Sequence, residues 1–88
     1  MKYIVIVVDS IPIGLAHELT IDNVRIGYCT IGQIVHGWHF NGVRITHIVD
    51  RTTKRIPEGM TQEYVDKWWT YLREGAGSRA EFVNEQRR

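Results

Sequence analysis

This chain has one cysteine, two prolines, almost no charge excess and no long apolar run, and each shortage removes a class of protein. Cys29 has no intrachain partner, which excludes a disulfide-stapled secreted scaffold and makes a reducing, cytoplasmic setting the expectation. The longest unbroken apolar run, Ile4–Val8, is far short of the ~20 residues that span a bilayer, so no membrane partner is expected. Met-Lys-Tyr leads straight into β-branched residues, without the apolar region of a signal peptide. Eleven Lys and Arg stand against ten Asp and Glu, a balance that argues against indiscriminate polyanion binding but allows a local basic patch. No glycine spacing matches a dinucleotide fingerprint or a phosphate loop. His17-Glu18 lacks the second histidine of a zinc helix.

The remaining composition describes a folded chain. With 43% apolar and 24% charged residues over 88 positions, residues 1–88 read as a single domain, with 75–88 as a candidate loosely docked tail. Tyr3–Val8 is continuously apolar, which suits a central strand. Turn residues around Pro12 end it, and the type of 15–22 is left open up to Asp22-Asn23. Alternation over Val24–Cys29 predicts a half-buried strand.

Asn41-Gly42 sits between two apolar-rich stretches and is the preferred pair for a two-residue type I′ turn. The implied hairpin places Trp38 opposite Ile45, His36 opposite His47 and Gln33 opposite Asp50. Thr61, Glu63 and the series Val65, Trp68, Trp69, Leu72 predict an amphipathic helix, with Gly75 as its stop. Ser78 and Glu81 have capping-box spacing, which predicts a short terminal helix carrying Phe82 and Val83. The expected fold is α+β: a small antiparallel or mixed sheet of about four strands with an Asn-Gly hairpin, packed by the long helix and the short one.

Candidate chemistry is sparse. His36 and His47, placed opposite one another, would have β-carbons about 5 Å apart, close enough to share a metal ion. A site needs a third ligand that no local spacing supplies, so no metal and no cofactor are expected. Cys29 beside a histidine has the elements of a thiolate nucleophile and its base, but a lone cysteine in an alternating strand reads as a small buried apolar residue. Asp9 occupies the strand-end position where open α/β sheets often place functional groups. The stretch Val7–Ala16 resembles the opening strand and loop of the bacterial-archaeal peptidyl-tRNA hydrolases. Beyond it, Asp22-Asn23 and a strand stand where that family has a long helix, and no membership follows.

Aromatics are plentiful. Tyr64, Trp68 and Tyr71 form a second helical stripe beside the core stripe, and Trp, Tyr and Arg are the residues that dominate binding hot spots. The preferred reading is a small non-enzymatic module that regulates or inhibits a macromolecular partner, a protein in the first instance, as either monomer or homodimer. Its size and style are those of phage or mobile-element accessory proteins. The contact residues expected are Tyr64, Trp68, Tyr71, Arg44, Lys54 and Arg55. One alternative is a nucleic-acid or nucleotide binder using His39, Arg44, Arg51 and Arg55. A second is a small hydrolase built from Asp9, Cys29 and the histidines.

Overall fold

A computed structural model describes residues 2–15, 18–33 and 45–86. These form β1 (Lys2–Val8), β2 (Glu18–Ile21), β3 (Val24–Thr30), β4 (His47–Asp50), α1 (Gln62–Ala76) and β5 (Glu81–Asn84). The five strands make one mixed sheet in the order β2-β3-β1-β4-β5, so the class is α+β as expected, with one strand more and one helix fewer.

The continuous apolar run of β1 occupies the centre, parallel to β3 on one side and to β4 on the other. The open segment before Asp22 becomes β2, antiparallel to β3. Asp22 and Asn23 join them with φ of 49° and 65°, the left-handed backbone that a type I′ connection requires at both central positions. A two-residue hairpin turn therefore occurs at Asp22-Asn23. The Asn41-Gly42 turn lies outside the described residues, but its register does not hold for β4. Both edges of His47–Asp50 are taken by parallel neighbours, β1 and β5, and Gln33 instead closes a turn onto Thr30. His47 faces Ile4 and Glu81 across the sheet, not His36.

The terminal helix is also corrected. Residues 81–84 pair with β4 as β5, because four residues dock more firmly by ladder bonds than as a fraying single turn. The long helix begins where expected, with the Thr61 hydroxyl accepting from the Tyr64 amide at 3.1 Å. It runs through Gly75 and stops at Gly77, whose φ of 88° only glycine adopts without strain.

Helix α1 covers one face of the sheet. Val65, Trp68, Leu72 and Ala76 pack on Tyr3, Val5, Val7, Cys29 and Ile48, with Ile31 and Ile45 closing the cluster. Gly27 is glycine because the buried Tyr3 ring lies across it: a β-carbon there would stand 3.0 Å from the phenol oxygen. The other face, with Ile4, Ile6, Val24, Ile26, Tyr28 and Val49, is apolar too, and among the described residues no helix or strand crosses it.

Candidate functional site

The helical period places Gln62, Asp66, Trp69 and Arg73 on the flank of α1 beside the core stripe. Phe82, inward on β5, faces that flank. The Trp69 and Phe82 rings meet edge to face with centroids 5.8 Å apart, and the Arg73 guanidinium carbon lies 4.0 Å from the Phe82 centroid. With Arg55 from the loop after β4, and with Asp50 and Gln86 at one end, these side chains line a groove of about 530 Å³. A second cavity of about 410 Å³ opens on the other side of Phe82. Ile48, Ala80, Gly77, Ser78 and Glu74 line it, and Arg73 is common to both.

The hydrogen-bonding state of the charged groups decides what this groove offers. Asp50 is 2% exposed, and its Oδ1 accepts from the Thr52 amide at 3.0 Å and the Thr52 hydroxyl at 2.7 Å, while Oδ2 accepts from the Gln86 amide side chain. Asp66 accepts from Gln62 at 2.7 Å. The two carboxylates of the groove are thus occupied by neutral donors. Elsewhere, Arg25 pairs with Glu18, Arg51 with Glu85 at 2.7 Å and Lys67 with Glu63 at 3.2 Å. Arg55 and Arg73 have no ion pair among the described residues. The groove thus sets two hydrogen-bonded carboxylates against two guanidiniums that lie beside two aromatic rings.

The sequence-predicted contact set is divided by the fold. Tyr64 and Tyr71 are exposed, at 47% and 53%, but on the opposite flank of α1 from the groove. Trp68 is core, its indole N–H donating to the Gln33 carbonyl at 3.2 Å, and Trp69 is the half-buried member of the pair. Lys54 and Arg55 are exposed, Arg55 in the groove. Arg44, His39 and His36 lie outside the described residues. Trp69, Arg73 and Phe82 were not singled out as contacts. The i, i+4 spacing of Trp69 and Arg73 was available in the sequence, whereas Phe82 depended on reading 81–84 as a strand.

Of the hydrolase alternative, Asp9, Cys29 and His47 fall among the described residues, and these three lie apart, whereas His17, His36 and His39 lie outside them. Cys29 lies on β3 beneath α1, where burial pushes its thiol up to about 12. Asp9 follows β1 at the strand ends, beside a separate cavity of about 310 Å³ that also takes in Lys54 and Glu58. Its carboxylate accepts from the Thr53 amide at 3.0 Å, the Thr53 hydroxyl and the Lys54 amide at 3.4 Å. Desolvation works to raise its pKa, but those hydrogen bonds and the Lys54 charge together hold it below the usual carboxylate value. Asp9 thus anchors the 52–54 loop. His47 pairs with Glu81 at 3.3 Å on the sheet face away from α1.

Among the described residues no three His, Cys, Asp or Glu side chains converge as a metal site, and no helix is long and apolar enough to cross a membrane. No family model, curated protein or solved structure matches the chain.

Proposed function

We propose that this protein is a non-enzymatic binding module that regulates or inhibits a macromolecular partner by seating part of it in the aromatic–basic groove between α1 and β5. The observation that carries this reading is the convergence of Arg55 and Arg73, both without an ion pair among the described residues, on Trp69 and Phe82. Free guanidiniums beside half-exposed rings combine charge-assisted donors with apolar area, the composition of an interface hot spot. The sheet and α1 hold Trp69, Arg73 and Phe82 in place before binding, which lowers the ordering cost, and Arg55 joins them from the loop after β4. Regulation then follows by occlusion of the surface that the partner contributes.

Capture of the partner from the native host tests the site with two paired variants. Arg55→Glu/Arg73→Glu is expected to lose the partner, and Tyr64→Ala/Tyr71→Ala to retain it. The reverse pattern would move the interface to the opposite flank of α1.

A nucleic-acid ligand is the second reading, supported by the same neighbourhood of ring and guanidinium. Arg51, one of its expected contacts, is already paired with Glu85. It requires an affinity that falls steeply with salt, which an oligonucleotide titration at two ionic strengths measures directly.

A further inference from the structure

We propose that the open edge of β5 receives an extended segment of a partner protein as an added strand. An apolar side chain of that segment enters the cavity beside Ile48 and Ala80, and an acidic one, two or four residues along, reaches Arg55 and Arg73. This rests on the groove reading above and names the kind of partner the groove takes.

Three observations converge on it. The first is the backbone. Among the described residues β5 is the terminal strand of the sheet, and the amides of Glu81 and Glu85 donate inward to Thr46 at 2.9 Å and Asp50 at 2.8 Å. By the two-residue period of a strand, Phe82 and Asn84 turn their N–H and C=O groups to the open side, where an extended chain completes them.

The second is the spacing of the cavities. The two lie on either side of Phe82 under the same flank of α1 and share Arg73. A strand laid along β5 sends alternate side chains, about 7 Å apart, toward that flank, so one segment reaches both cavities.

The third is charge. Asp50 and Asp66 already accept hydrogen bonds within the chain, while Arg55 and Arg73 have no carboxylate among the described residues. The groove's two carboxylates and two guanidiniums balance in formal charge, and an acidic side chain that reaches Arg55 and Arg73 gains charge-assisted donors there against the repulsion of Asp50 and Asp66. Glu74 on the rim of the smaller cavity disfavours an acid there, and Ile48, Ala80 and Phe82 give it an apolar floor. A nucleic acid has the anionic groups but no peptide ladder to match the β5 edge.

The test uses the full chain and a set of octapeptides that place Leu, Phe or Val two or four residues from Glu or Asp, in both orders. Each binding peptide is then made in two N-methylated forms, one for each set of alternate residues. One form is expected to bind like the parent and the other roughly tenfold more weakly, since two ladder bonds are lost. Amide exchange at Phe82 and Asn84 should slow on binding while Glu81 and Glu85 stay unchanged, and Arg73→Ala should weaken the parent peptide. Strand addition is overturned if no peptide of the set binds, if both N-methylated forms bind like the parent, or if an oligothymidylate binds in their place. Equal binding of both N-methylated forms, with loss in Arg55→Glu/Arg73→Glu, would leave the groove reading standing. Partner capture that survives those charge reversals would remove the groove reading itself.

Discussion

The two edges of the sheet are built from similar material and differ in what surrounds them. At one edge, β2 is held by a tight turn and by the Glu18–Arg25 pair, and Ile21 stands 57% exposed with no helix against it among the described residues. At the other, β5 lies under α1, its Phe82 gripped by Trp69 and Arg73 between two cavities. Among the described residues neither edge has a further strand, and natural sheets blunt such edges with short strands and charges. β2 has little beyond that defence. β5 adds walls, rings and free cations, and that difference separates a protected edge from a receptive one.

The contrast can be broken at several depths. The largest effect is expected from Leu72→Ala, since Leu72 is fully buried in the core beneath α1: a loss of about 3 kcal/mol in denaturant unfolding. Hydrogen exchange in this variant should rise more at Glu81, Val83 and Glu85 than in the β2–β3 turn. Equal rises would mean that the edges are not independently supported. Next comes Asp50→Ala, which removes the shared acceptor of Thr52 and Gln86 at the end of β5, with an expected cost of about 2 kcal/mol. Thr61→Ala removes the helix cap and should cost about 1 kcal/mol, transmitted to β5 through α1. The smallest effect belongs to the β2 edge: Glu18→Gln should change stability by less than about 1 kcal/mol, and the difference should vanish at high salt.

Two pH profiles sharpen the picture at the strand ends and in the core. Asp9 has a lowered folded pKa, so its contribution is present above the unfolded carboxylate value and is lost as pH falls through the folded one. Asp9→Asn should therefore be less stable than the parent near neutral pH and converge with it in acid. Cys29 is raised to about 12, so its contribution is present below the unfolded thiol pKa and is lost as pH climbs toward 12. A thiol reagent at pH 8 should label Cys29 only after unfolding.

Some of this was legible from residues alone. Tyr3–Val8 has no polar alternation, and it lies at the centre of the sheet. Thr61 followed by Val65, Trp68 and Leu72 marked the helix start and its buried stripe, because a 3.6-residue period records itself in spacing. The Asn41-Gly42 register misled for β4. Local turn chemistry says nothing about which neighbours compete for a strand's edges, and β1 and β5 occupy both. Ser78 and Glu81 misled in the same way: capping-box spacing is a local signal, and four residues after a glycine have no helical length with which to enforce it.

The sequence by itself determined the α+β class, the central strand, the helix with its cap and the burial of the lone cysteine, since each follows from periodicity or residue type within one segment. Only the tertiary structure decided that 81–84 is a strand. It also decided that Trp68 turns inward while Trp69 lines a groove, and that Arg55 and Arg73, distant in the chain, line that same groove with Phe82. Those outcomes depend on parallel pairing between β4 and β5 across the whole of α1, a contact of long sequence separation that no local pattern encodes.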